Sequence, residues 1–282
     1  MSETLSRIPY TSQATGAERD FFLYLPRGYA ESTEAWPLLL FLHGNGERGD
    51  AKSDLDYLLA NGPLYEAWIQ KRDLPFVIVA PQLPMYGQDA EAAYLRDRSR
   101  EQIPVRLAEG TPARPANHAT RGPLDAVRAQ PSVPHGIDGP TMGWPKLEHD
   151  LLGILEHVLD NYRVDRSRQY LSGLSYGAFG SWYLASQYPG RFAALAVVVG
   201  YPHPEHAPAI ARAQTPIWCF AGGRDEAVPL EYFYVGLNRL EALGHRRLRF
   251  TIEADMGHDV WDRVYGGRDV YDWMLEQRLV ER

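Results

Sequence analysis

Short apolar segments recur along the chain, and most of them are apolar at every position rather than at alternate positions. They are rich in β-branched and aromatic residues, and each is about as long as a strand. Strands that are covered by helices on both faces have this composition. The pattern therefore predicts a central sheet, with strands at residues 21–25, 37–42, 76–80, 169–171, 195–199, 217–221 and 248–252.

Helical patterns lie between these strands. The clearest covers residues 146–162, where apolar side chains recur every three or four positions and acidic side chains take the opposite side. Because strands and helices alternate, we expect an α/β domain with a doubly wound, mostly parallel sheet and helices on both faces. Further helices are predicted at residues 54–70, 176–187, 230–243 and 269–278.

Residues 85–143 interrupt this alternation. The segment has little periodicity, and it carries seven prolines and seven arginines but no lysine. A loop of about 60 residues is uncommon in a compact domain unless it is functional or disordered. It falls between a strand and a helix, on the side of a parallel sheet that carries ligands. We predict a core of residues 1–84 and 144–282 and an insertion, 85–143, that forms a lid or cap; a mobile surface insertion is the alternative.

Composition and charge narrow the classes of partner. The chain has 282 residues, of which 45% are hydrophobic, and this is ample for one large core. The formal net charge of -7 argues against a nucleic-acid-binding protein or a basic membrane-surface protein, because both need a positive field.

Residues 1–7 are polar and no apolar run approaches the roughly 18 residues of a membrane span, so we expect a soluble cytoplasmic protein. The lone cysteine, Cys219, lies in an apolar run and is expected in the core. Nothing in the sequence indicates the oligomeric state.

Ser175 is the first candidate for chemistry. It lies in GLSYG at residues 173–177, between a predicted strand and a predicted helix. This is the context of a nucleophile elbow, where the serine takes a strained conformation and the flanking glycines give clearance. The helix that begins at Tyr176 would direct backbone N–H groups and its positive end toward an oxyanion near Ser175. We therefore interpret Ser175 as a nucleophile rather than a hydroxyl in a glycine-rich turn.

A second glycine-rich segment, HGNGERG at residues 43–49, directly follows the predicted strand 37–42. Its glycines allow backbone amides to face a substrate oxygen, as in the HGGG-type loop. The expected oxyanion donors are the amides of Asn45 and Tyr176. A phosphate-binding loop is the competing interpretation, but the lysine followed by serine or threonine that it requires is missing.

A serine nucleophile needs a histidine base and an acid that orients it. In this type of fold their order along the chain is serine, acid, histidine. Asp225 follows the predicted strand 217–221 and is the preferred acid, although the adjacent Glu226 is an alternative. His258 follows the last predicted strand and is the expected base.

Other aromatic and histidine residues are open to two interpretations. Trp144 and Trp261 could line an acyl pocket or simply pack in the core. The pair His203 and His206 could suggest a metal site, but its spacing does not match the HExxH pattern, and a polar loop is favoured. No metal site is predicted.

Together these segments resemble the α/β-hydrolase superfamily. More narrowly, they resemble esterases related to polyhydroxybutyrate depolymerases and feruloyl esterases, a group also described as phospholipase/carboxylesterase or predicted peptidase. The resemblance covers most of residues 20–280 apart from the insertion. The matching segments are FLHGNGERGD (41–50), VAPQ (79–82), YRVDRSRQYLSGLSYGAFGSW (162–182), YPGRFAAL (188–195), FAGGRDEAVP (220–229) and DMGHDVW (255–261).

This resemblance implies Ser175 as nucleophile, Asp225 as acid and His258 as base. It also implies an oxyanion hole formed by the HGxG loop and the residue after the serine. Two departures concern specificity: Tyr176 stands where such enzymes often have methionine, and the insertion replaces a usually short connection.

The expected function is a serine carboxylic-ester hydrolase that acts on a small-molecule ester without a metal or organic cofactor. A serine peptidase of related fold uses the same groups and is the enzymatic alternative. A noncatalytic binding protein that retains the fold is the alternative outside the enzymes.

Overall fold

Eight strands form a single sheet in the computed structural model, which describes residues 2–113 and 130–279. Residues 114–129 of the predicted insertion lie outside the described residues. The strand order is β1-β2-β4-β3-β5-β6-β7-β8. β2 pairs antiparallel with β1 and with β4, and the remaining neighbours pair in parallel. The strands are β1 (Thr4–Thr11), β2 (Glu18–Leu25), β3 (Trp36–Leu42), β4 (Val77–Ala80), β5 (Val164–Leu174), β6 (Ala194–Val198), β7 (Ile217–Gly222) and β8 (Leu248–Glu253).

Helices cover both faces of this sheet. The α-helices of the described residues are α1 (Gly62–Leu64), α2 (Gln88–Glu91), α3 (Ala93–Arg96), α4 (Glu148–Asn161), α5 (Tyr176–Gln187), α6 (Ala207–Ala213), α7 (Phe233–Ala242), α8 (Val260–Gly266) and α9 (Asp269–Leu275). None of them is long and apolar enough to cross a membrane.

The apolar strands form two cores because successive side chains of a strand point to opposite faces. In β3, Leu38, Leu40 and Leu42 belong to the core that contains residues of α4 and α5. Leu39 and Phe41 belong to the other core, with residues of α8 and α9. The sheet is therefore buried on both faces, and the predicted doubly wound, mostly parallel α/β arrangement is confirmed. Cys219 of β7 is fully buried in the first of these cores.

The seven predicted strands are all present, but β1 was not predicted. β1 is an edge strand with half-exposed and exposed positions, so it has no apolar run to detect.

The predicted helix at residues 54–70 was wrong. The segment consists of a 3-10 turn (Leu55–Leu59), α1 and a π-helical turn (Tyr65–Ile69). Gly62 has φ +77°, and Pro63 follows it at the start of α1. A Cβ on Gly62 would lie 2.2 Å from the Phe41 ring, so a glycine is needed here, and its positive φ interrupts the helical conformation.

Arginines attach the described part of the insertion to the core. Arg98 pairs with Asp54 at 2.9 Å, and its guanidinium carbon lies 3.9 Å from the centre of the Tyr57 ring. Arg106 pairs with Glu3 and stacks over Trp68 at 4.1 Å. Guanidinium groups suit such sites because they bond carboxylates and stack on aromatic faces at the same time. Arg98 and Arg106 thus have a structural role in holding the described part of this segment.

Candidate active site

Ser175 lies at the sharp turn between β5 and α5, in a conformation that L-residues rarely adopt (φ +51°, ψ -118°). The turn is possible because its glycines carry no side chain. A Cβ on Gly173 would lie 2.2 Å from the carbonyl oxygen of Gly177, and a Cβ on Gly177 would lie 1.8 Å from that of Leu42. Such backbone strain persists only where the surroundings enforce it. The hydroxyl is presented at the carboxyl end of the parallel strands, where α/β sheets bind ligands.

The structure brings Ser175, His258 and Asp225 together. His258 lies in the loop between β8 and α8, and Asp225 lies in the turn after β7. The His258 Nε2 atom is 2.9 Å from the Ser175 hydroxyl oxygen, and the His258 Nδ1 atom is 2.7 Å from Asp225 Oδ2. The imidazole therefore bridges a hydroxyl and a carboxylate, which is the arrangement needed for proton transfer from serine.

The turn after β7 places Asp225, and not Glu226, where it can orient His258. The Asp225 side chain is fully buried, and its Oδ1 accepts hydrogen bonds from the backbone N–H groups of Ala227 at 2.8 Å and Val228 at 2.9 Å. These bonds orient the carboxylate, leaving Oδ2 for His258. Glu226 is exposed. Of the two acids that the sequence left open, only Asp225 contacts the imidazole.

The loop after β3 lies directly against Ser175. A Cβ on Gly44 would lie 3.5 Å from Ser175 Cβ. Asn45 begins a 3-10 turn (Asn45–Glu47), and Tyr176 begins α5. The first N–H groups of a helical segment have no acceptor within that segment, so the amides of Asn45 and Tyr176 are available to a ligand. Both predicted oxyanion residues thus start helical turns beside the serine.

His43 fixes the base of this loop. Its Nδ1–H donates to the carbonyl oxygen of Gly44 at 2.6 Å, and its Nε2 accepts from the backbone N–H of Leu83 at 2.8 Å. Burial lowers the pKa of His43 to about 3. The imidazole is therefore neutral at physiological pH and acts as a hydrogen-bonding part of the loop.

The two predicted tryptophans occupy different environments. Trp261 faces the cavity, its ring meets the His258 ring edge-on at 5.1 Å, and its indole N–H donates to Asn61 Oδ1 at 3.1 Å. Trp144 is instead buried beneath the loop, where its indole N–H donates to the carbonyl oxygen of His43 at 3.2 Å. Trp144 does not line the cavity and has the core-packing role that was its alternative interpretation.

A cavity of about 560 Å³ opens above Ser175. Its wall is largely apolar and aromatic, and the insertion contributes to it through Tyr94, His135 and Pro140. Sequence reasoning did not single out these residues, because the insertion has no periodicity that identifies an inward face. The remaining lining residues are Gly44, Asn45, Gly46, Glu47, Asn61, Leu174, Tyr176, Phe179, Ala227, Val228, His258 and Trp261.

Glu47 is a buried acid in this wall. Its side chain is 7% exposed, and its Oε1 accepts a hydrogen bond from Asn61 Nδ2 at 2.5 Å. Burial raises the pKa of the Glu47 carboxyl, against the opposing effect of its hydrogen bonds from Asn61 and the backbone. The sequence feature that could have identified Glu47 is its position as a charged residue in the glycine-rich segment 43–49, directly after a buried strand.

The sheet order, the serine at the turn after β5 and the histidine after β8 define the α/β-hydrolase fold, and solved structures share it. A thermostable esterase aligns over 97% of this chain and 63% of its own, at 23% identity and a TM-score of 0.65. The chain thus spans less than two thirds of that esterase. A mutant of the feruloyl esterase module from Clostridium thermocellum, complexed with sinapinate, aligns over 97% of this chain and 87% of its own, at 14% identity and a TM-score of 0.58.

A third similar structure is a substrate-bound fluorophosphonate-binding serine hydrolase from Staphylococcus aureus. It aligns over 98% of this chain and 99% of its own, at 13% identity and a TM-score of 0.58. No family model matches the sequence, and no curated protein matches it. Sequence identities of 13–23% establish a shared fold only, so the activity has to be inferred from the residues of the site.

Proposed function

We propose that the protein is a serine carboxylic-ester hydrolase that works through an acyl-enzyme intermediate. The observation that carries this proposal is the chain of hydrogen bonds from Ser175 through His258 to Asp225 at the floor of the cavity. Esterases and serine hydrolases of the same fold support the choice of reaction class.

In the proposed reaction, His258 Nε2 accepts the proton of Ser175 as the serine oxygen attacks the ester carbonyl. Asp225 holds the imidazole with its Nδ1–H toward the carboxylate and stabilises the imidazolium that forms. The amides of Asn45 and Tyr176 stabilise the tetrahedral oxyanion, and one such donor contributes about 3 kcal/mol. His258 then protonates the leaving alcohol, and water attacks the acyl-enzyme by the same proton transfers.

We propose esters with an apolar or aromatic acyl group as the substrate class. Trp261, Phe179 and Tyr176 provide large apolar faces in the cavity. Such faces bind acyl chains through burial of apolar surface. The insertion acts in this proposal as a cap, since Tyr94, His135 and Pro140 belong to the same wall.

A fluorophosphonate probe tests the reaction class. The intact protein should be labelled covalently, and Ser175→Ala should abolish labelling while its thermal unfolding stays that of a folded protein. A folded protein that is not labelled at all would contradict the proposal.

A hydrolysis panel tests the substrate class. Acetyl, longer aliphatic, feruloyl and peptide substrates should be compared by kcat/KM, with the highest values expected for the longer aliphatic or feruloyl esters. Faster turnover of the peptide would instead identify a peptidase, and preference for acetyl esters would contradict the apolar acyl site.

A further inference from the structure

Arg48 is a fully buried cation beside the candidate oxyanion hole. All of its bonds go to uncharged groups: Nε donates to the Asn45 side-chain oxygen, Nη1 to the carbonyl oxygen of Pro84 at 2.8 Å and Nη2 to that of Met142 at 2.8 Å. Its guanidinium carbon lies 4.9 Å from the centre of the Tyr176 ring. The side chain therefore contacts both residues whose amides are the proposed oxyanion donors.

The charge of Arg48 is not neutralised by an acid. In the part of the chain that the structure describes, no carboxylate forms an ion pair with it. Although burial lowers the pKa of Arg48, a guanidinium remains protonated at neutral pH. Burying a cation without a counter-ion is costly, and hydrogen bonds to carbonyl oxygens offset only part of that cost. A developing oxyanion would supply the missing negative charge.

The same side chain holds both ends of the insertion. Pro84 immediately precedes the insertion and Met142 lies at its end, and the two are joined through one guanidinium. The insertion also reaches Asn45 directly, because Asn45 Nδ2 donates to the Tyr94 hydroxyl. Asn45 is thus fixed by Arg48 on one side and by Tyr94 on the other.

We propose that Arg48 is the positioning residue of the oxyanion hole, holding Asn45 and Tyr176 against the ends of the insertion while its buried charge stabilises the oxyanion. This inference rests on the proposed esterase function. It assigns the arginine a larger effect in the transition state than in the ground state, because the negative charge develops only during acyl transfer.

Two uncharged variants test this role. Arg48→Gln keeps some hydrogen-bonding capacity, and Arg48→Met leaves no polar group to bury. Each should lower kcat about 10- to 100-fold with KM changed by less than about threefold. The backbone donors of Asn45 and Tyr176 remain in these variants, but the contacts that hold them and the buried positive charge are lost. Arg48→Lys keeps the charge and should recover part of the loss.

Arg19→Gln is the matched control. Arg19 is also a buried arginine that donates to two carbonyl oxygens, those of Gly49 at 3.1 Å and Gln82 at 2.7 Å, and it lies outside the cavity. This variant should lower the unfolding temperature but leave kcat at the wild-type value.

Inhibition by phenylboronic acid separates charge stabilisation from general loss of structure. Its tetrahedral adduct with serine is anionic, so its Ki should rise in Arg48→Gln and Arg48→Met by about the factor by which kcat falls.

A wild-type kcat in either folded Arg48 variant, or an equal loss of kcat in Arg19→Gln, would overturn the inference. Slow fluorophosphonate labelling of the Arg48 variants beside normal labelling of the wild type would support it, whereas no labelling of the wild type would contradict the esterase proposal itself.

Discussion

At the residue scale, one of the two adjacent acids after β7 is buried and the other is exposed, and only replacement of the buried one should lower activity. Asp225→Asn should lower kcat about 10⁴-fold, because the amide cannot hold His258 in the tautomer that accepts the serine proton. Glu226→Gln is the matched control and should leave kcat within about twofold, since this side chain is exposed. Steady-state hydrolysis of one ester by both folded variants measures the difference. A larger loss in Glu226→Gln would show that the acid is misassigned.

The side chains of the candidate triad could be predicted because each follows a recognisable strand and their order along the chain is fixed. Trp144 could not be placed in the same way. A tryptophan next to a helix has the same apolar signal whether it faces a cavity or the core, and only packing against His43 distinguishes the two. Arg48 was visible in the sequence as part of a motif, but its contacts with Pro84 and Met142 depend on how the insertion returns to the core.

At the element scale, the stability of the turn at the start of α1 should depend on Gly62. Gly62→Ala should destabilise the fold by about 1–3 kcal/mol more than Gly28→Ala, because overpacking against Phe41 adds to the strain of a positive φ that both positions share. Gly28 is the matched control, with φ +83° and no heavy atom within 4 Å of the place that a Cβ would occupy. Urea unfolding of both variants gives the comparison. Equal decreases in the free energy of unfolding would mean that the Phe41 ring moves aside without an energetic cost.

Most of the strands that were predicted are buried, although β8 is only partly so. Strands β3, β4 and β6 are almost entirely buried, so their apolar runs are unbroken. β1 lies at the sheet edge and alternates between half-buried and exposed positions, which a search for apolar runs passes over. Residues 54–70 have helical spacing in the sequence, yet Gly62 and Pro63 divide them.

The insertion should influence which ester is preferred. Tyr94 is 60% exposed and faces the cavity. Tyr94→Ala should raise KM several-fold for a bulky aromatic ester and less for an acetyl ester, because apolar contact with the larger acyl group is lost. Leu107→Ala is the control, since Leu107 is an exposed apolar residue of the same insertion that does not line the cavity. The same KM shift for both esters would contradict a role of Tyr94 in acyl selection.

At the scale of the whole molecule, buried histidines should make the fold sensitive to acid. Burial lowers the pKa of His43 to about 3 and that of His206 to about 4, both from 6.5. Between these values and pH 6.5 the unfolded chain binds protons that the folded chain does not, so stability falls as the pH falls through this range. Each group contributes a slope of up to about 1.4 kcal/mol per pH unit.

His206→Leu measures one of these contributions. Its free energy of unfolding should decline less steeply below pH 6 than that of the wild type, by up to about 1.4 kcal/mol per pH unit. Urea unfolding from pH 7 to pH 4 gives the two curves. Parallel curves would show that His206 takes up a proton equally in the folded and unfolded chain.

The burial of Cys219 has a practical consequence for studying this protein. Its thiol is fully enclosed, and burial raises its pKa, so the reactive thiolate is suppressed in the native state. Because it is the sole cysteine, a second one introduced at an exposed position such as Leu107 would be selectively modified by a maleimide dye without first removing the natural thiol. A fluorophore placed there would report on the insertion while esters bind, in an otherwise unaltered chain.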